Sequence, residues 1–148
     1  MSVRNDIAEN FVSVIKNATD PQFVLVTRAP IDPQRLSNAQ FPCAYVEALN
    51  ESRTDLDMKS GNSNGSMRQS VLTMNIVCFV RTSPEMMDKT RNDVIERMEE
   101  TLSADQTRGN VADYTELREI TVDNAVEDTI GKIELAFEVG YRYRTGEA

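Results

Sequence analysis

Apolar positions recur along this chain with two different periods, and the changes of period divide it into elements. Val3, Ile7, Phe11, Val14 and Ile15 share one face of a helix predicted over Val3–Lys16. Ser2 stands at its cap, and Asp6 lies in the first turn, where the helix dipole favours an anion. The run NATDPQ stops that helix. Phe23–Arg28 reads as a short strand, and a connection with three prolines follows, in which Asp32-Pro33 can open one helical turn. Cys43–Glu51 reads as a second strand. Ser52–Ser66 has almost nothing to bury and a tip of Gly, Asn and Ser, so it is expected to be a mobile hairpin loop or arm.

Met67–Arg81 reads as a long strand, with Leu72, Met74, Ile76, Cys78 and Val80 on one face. Val71, Thr73, Val77 and Phe79 leave its other face largely apolar too, which places this strand centrally in a sheet. Ser83-Pro84-Glu85 combines a cap, a proline and an acid, and starts a helix predicted to run to about Ser103. Its stripe is Met87, Val94, Met98 and Leu102, with Ile95 beside it and Met86 and Met87 taken as core filler. Glu116–Asn124 is a weaker strand, with Ile120 and Val122 on one face and Leu117 on the other. The last strand, Ile133–Arg144, turns Ile133, Leu135, Phe137, Val139, Tyr141 and Tyr143 to one side. The expected fold is α+β, a single domain over residues 1–148 in the order α-β-β-β-α-β-β. Its sheet has four or five mostly antiparallel strands, with both helices on one face.

Two strands are long for so small a domain. A chain of 148 residues folds to a diameter of roughly 38 Å. The last strand alone would be about 40 Å long and Met67–Arg81 about 50 Å, at ~3.4 Å per residue. Both therefore reach the edge of their domain, and Tyr141 and Tyr143 are expected to be covered by a neighbouring subunit.

Charge is unevenly placed. The net charge is −8, and Asp93–Asp128, with eleven acids and three bases, carries all of it. Glu96, Glu99, Glu100, Asp105, Glu116, Glu119 and Asp123 are its candidate residues for a solvated face or an acidic channel wall. Such a surface repels nucleic acid. Arg142 and Arg144, interleaved with the tyrosines, are expected to meet carboxylates: Glu134 or Glu138 across a strand, or a neighbour's acidic surface.

Candidate chemistry is sparse. The chain contains no histidine, which excludes Ser-His-Asp and Cys-His catalysis and the usual zinc sites. Gly61 and Gly65 are not followed by the lysine and helix of a phosphate loop. Asp55 and Asp57 approach a calcium-loop pattern, but Lys59 and Ser60 stand where a ligand and the turn glycine belong. No cofactor, metal or catalytic residue is nominated, and an enzyme is not expected. Cys43 and Cys78 fall in strands as buried free thiols, as expected in a reducing compartment. No apolar run is long enough to span a membrane, and charges interrupt the segment where a signal peptide would need an apolar block.

The order of these parts resembles the tail terminator, or tail completion, proteins of long-tailed bacteriophages. An amphipathic helix and a strand lead through a proline-rich connection into FPCAYV. A loop-topped hairpin then enters VLTMNIVCFVR, followed by a Ser-Pro-initiated helix, the DQTRGNV loop and a last strand ending VGYRYRTGEA. The resemblance implies a virion protein of the head–tail junction, assembled in the host cytoplasm as a homohexameric ring. Such a ring caps the tail tube, binds tail tube protein and the head-side connector or neck protein, and lets DNA pass without specific binding. It implies no enzymatic activity. It also points to Arg53, Asp55, Asp57 and Lys59 in the hairpin, and to Tyr141, Arg142, Tyr143 and Arg144 in the last strand, as partner or oligomer contacts. The alternatives are another head–tail joining protein, such as a neck or stopper protein, and a cellular oligomeric adaptor or small-ligand binding domain.

Overall fold

Ser2 caps α1 (Val3–Lys16) by accepting a hydrogen bond from the Asn5 N–H at 3.2 Å. In this computed structural model, residues 2–55, 67–124 and 129–144 are described. The hairpin positions Asp57 and Lys59 lie outside them, as do the side chains of Asp55 and Arg144. After α1 come β1 (Leu25–Thr27), β2 (Cys43–Asp55), β3 (Met67–Arg81), α2 (Met87–Ser103), β4 (Tyr114–Asn124) and β5 (Ile130–Arg144). The strands form one mixed sheet in the order β1-β2-β3-β5-β4. β1 lies parallel to β2, and the other three pairings are antiparallel. The fold is α+β, in the element order that the periodicities predict.

β3 is the central strand, as its two apolar faces require. Leu72, Met74, Ile76, Cys78 and Val80 join Ile133, Leu135, Phe137, Val139, Tyr141 and Tyr143 of β5 under both helices. α1 contributes Ile7, Ala8, Phe11, Val12 and Ile15; α2 contributes Met87, Val94, Met98 and Leu102. Phe11 meets Phe137 edge-on at 5.8 Å, a geometry that suits the aromatic quadrupoles. Burying each large side chain in this layer contributes about 1.5–3 kcal/mol.

A second, smaller core lies on the opposite face. Cys43, Val77, Phe79 and Ile130 are covered there by Ile31, Leu36 and Phe41, so the proline-rich connection folds across one end of the sheet. Burial pushes the Cys43 thiol up to about 11, and burial likewise raises Cys78; both stay protonated and unreactive. They are free thiols on opposite faces of the sheet.

Two local expectations are corrected. A 3₁₀ turn, Pro84–Met86, precedes α2, which leaves Met86 47% exposed while Met87 alone fills the core. A bulge at Arg118 shifts the register of β4 between Leu117 and Glu119. Leu117, Ile120 and Val122 consequently all share the helix-side face, where a regular strand would separate them. Gly140 makes room for the ring of its cross-strand partner Tyr114, which a Cβ would strike.

β3 and β5 pair over their full 15 residues, from Met67 opposite Arg144 to Arg81 opposite Ile130. At ~3.4 Å per residue they span about 50 Å, whereas α1 and α2 are about 21 and 26 Å long. β4 ends its pairing at Gly140 and β1 reaches only Tyr45, so the far end of the sheet is three-stranded: β2, β3 and the last residues of β5.

Candidate functional site

The three-stranded far end carries a polar knot on its helix-side face. Glu51, Arg53, Ser70, Tyr141 and Tyr143 share that face by register. Glu51 accepts a hydrogen bond from the Tyr141 hydroxyl at 2.8 Å and pairs with Arg4 of α1 at 3.3 Å and with Arg53. Arg53 stacks over the Tyr143 ring at 4.9 Å, and the two tyrosine rings lie 5.7 Å apart. Burial pushes the Glu51 carboxyl up, but hydrogen bonds from Arg53 and Tyr141 outweigh it and hold Glu51 below the ordinary range.

This knot corrects the expectation that a neighbouring subunit must cover the tyrosines. Tyr141 is fully buried and Tyr143 is 5% exposed within the chain itself. An aromatic–cation stack does at this end what an apolar helix does over the body. Arg142 meets a carboxylate as expected, but a different one: its guanidinium grips Asp113 through two hydrogen bonds, at 3.0 and 3.1 Å, and not Glu134 or Glu138.

The acids of 93–128 do not form one surface. Glu96, Glu99 and Glu100 are exposed on α2, over the helix-side face. Glu116, Glu119 and Asp123 pair with Glu138, Ala136 and Lys132 of β5, and so project from the face of the sheet opposite the helices. Glu47, Glu134 and Glu138 join them there. Arg118 bridges Glu116 and Glu138, and the Tyr114 hydroxyl donates to Glu138 at 2.9 Å. The Arg118 hydrogen bond is the main cause that holds the Glu138 carboxyl below its usual value. A shallow groove of about 290 Å³ runs between Leu49, Thr73, Ala136 and the acids Glu119 and Glu134. Asp105 belongs to neither surface: its carboxylate accepts from the Thr107 hydroxyl and N–H and the Gly109 N–H, and organises its own loop.

That loop holds a residue that sequence reasoning missed. Arg108 is 1% exposed, although charge alone marks it as a surface residue. Arg108, Gly109 and Asn110 adopt φ of 50°, 72° and 71°, which folds the side chain back under the loop. Its Nη2 donates to the carbonyls of Leu102 and Asp105 at the end of α2, and the guanidinium lies 5.1 Å from the Phe11 ring. Arg108 thus ties the C-terminus of α2, where a cation suits the dipole, to α1. Burial lowers its affinity for its proton. The sequence signal was the glycine that follows it in a loop after a helix.

A further groove of about 490 Å³ lies between α2 and the proline connection, floored by Phe41, Val80 and Val94 and rimmed by Asp93, Glu96 and Glu100. Among the described residues no cluster of three or more His, Cys, Asp or Glu side chains is arranged to hold a metal. No described helix is long and apolar enough to cross a membrane.

No family model matches the chain, and no curated protein matches it in sequence. Among solved structures, it is similar to a chain from the virion of a native gene transfer agent (GTA) particle. The likeness is one of fold. It extends over 96% of this chain and 92% of that one, with a TM-score of 0.50 and 12% identity.

Proposed function

We propose that this chain is a structural subunit of a phage-like virion and not an enzyme. In our reading it acts as a tail terminator: six copies form a ring that caps the head-proximal end of the tail tube and joins it to the connector. The observation that carries this reading is the near end-to-end fold likeness to a chain of a GTA virion particle. It converges with the order of elements from which the sequence resemblance was drawn.

The two acidic surfaces take different roles in this account. The sheet face opposite the helices bears Glu47, Glu116, Glu119, Asp123, Glu134 and Glu138 against Arg118 and Lys132. It faces the DNA channel, where like charge lets a duplex slide without adhering. The α2 acids face outward, away from DNA. The three-stranded end projects toward the tube or the connector, with Arg53 and the Arg142–Asp113 pair on its surface.

In a tube-assembly reaction, substoichiometric addition of the chain should arrest elongation and leave a ring at one tube end. Unchanged tube lengths with no bound ring would overturn the reading.

A further inference from the structure

The sheet has two open edges. β1 covers only Cys43–Tyr45 of β2, so the outer edge of β2 carries no strand from Val46 to Asp55 among the described residues. On the other side, β4 is an edge strand of 11 residues, also without an outer strand among the described residues. Unpaired edges of this length are templates for another chain.

Strand direction makes the two edges fit each other. β2, β3, β5 and β4 alternate in direction across three antiparallel pairings, so β2 and β4 run oppositely within one subunit. Rotation about a ring axis along the strands preserves direction. Each copy's β4 therefore meets the next copy's β2 in the antiparallel sense, head to tail, and the chain of contacts closes. Each of the two strands carries one bulge, that of β2 between Ala48 and Glu51, across from Thr73, and that of β4 between Leu117 and Glu119, across from the Phe137–Ala136 step; they flank the Met74–Phe137 row on opposite sides. Each bulge bends and twists its own strand.

The side chains agree. Ile120 and Val122, 45% and 50% exposed, project from β4 on the helix side. By register Ile120 stands level with Val46 of β2, and Val122 with Ala44, which pairs with Val26 of β1. We infer that β4 of one copy adds antiparallel to β2 of the next, Tyr114–Ile120 against Val46–Ser52, with Ile120 and Val122 covering the end of that edge where β1 stops. This inference rests on the ring reading and names the surface through which the ring closes.

The test is amide hydrogen exchange on the full chain, compared between the free protein and rings on tube ends. Ten-fold or greater added protection is expected in peptides covering 46–55 and 114–124 together. Ring formation with both segments unchanged would overturn the edge pairing and leave the ring reading intact; failure of any ring to form would overturn both. Ile120→Lys with Val122→Lys should leave the unfolding midpoint of the free chain unaltered and abolish ring formation. Rings from that variant at wild-type yield would also overturn the inference, with the bulges then acting to guard the edges against association.

Discussion

The two ends of the long sheet solve one problem with different chemistry. At the body end, five strands lie between two helices on one face and the proline connection on the other, and apolar side chains cover apolar side chains. At the far end, three strands outrun the helices, and Arg4, Glu51, Arg53, Tyr141 and Tyr143 close over themselves. Burial comes from shape in the first case and from a satisfied charge in the second. The far end thereby presents a polar, ordered surface where the body could offer only its core.

The largest expected effect separates the ends by stability. Phe137→Ala removes a fully buried ring against Phe11 and should cost ~3–5 kcal/mol, read from chemical denaturation. A loss below about 1 kcal/mol would mean that the body core is not packed as described. Next comes Glu51→Gln, which leaves Arg4 and Arg53 without their anion. It should cost about 1–3 kcal/mol, with the loss of exchange protection concentrated at Ser70 and Tyr141–Tyr143. A loss spread evenly over the whole sheet would erase the distinction between the ends.

Acid sharpens the same comparison. The folded Glu51 carboxyl titrates below its unfolded value, so its contribution is present above the ordinary glutamate range and is lost as pH falls through the lowered folded value. The wild type should therefore lose stability on acidification more steeply than Glu51→Gln over that interval. Parallel curves would exclude Glu51 as the group responsible. The smallest effect is expected on the open side of the far end. Arg142→Ala breaks an exposed pair with Asp113 and should cost at most ~1 kcal/mol, vanishing at high salt. A larger, salt-independent loss would assign that pair a structural role.

Much of this contrast was legible in the residues. Alternation gave the length and central place of β3, and the stripes of both helices emerged on the faces they bury. Alternation also located β5, although its strand begins at Ile130 because Gly131 admits the side chain of Met87. The parallel pairing of β1 with β2 was not legible, since three residues carry no directional pattern. Nor was the bulge at Arg118, because periodicity counts residues and a bulge inserts one. Arg108 stayed hidden because its burial depends on three consecutive residues of positive φ, a property of the loop and not of the side chain. The tyrosines misled for a related reason: their cover is a long-range meeting of Arg4, Glu51 and Arg53, which no local spacing records. The acids of 93–128 looked continuous in sequence, and the sheet divides them between two faces.

The account stands or falls on where assembly stops without this chain. The decisive measurement is electron microscopy of particles produced in the absence of its gene. Abnormally long tails beside full, unjoined heads are the predicted result. Tails of normal length beside unsealed heads would contradict the terminator reading and move the protein to the head side of the junction, and intact particles would remove it from assembly altogether.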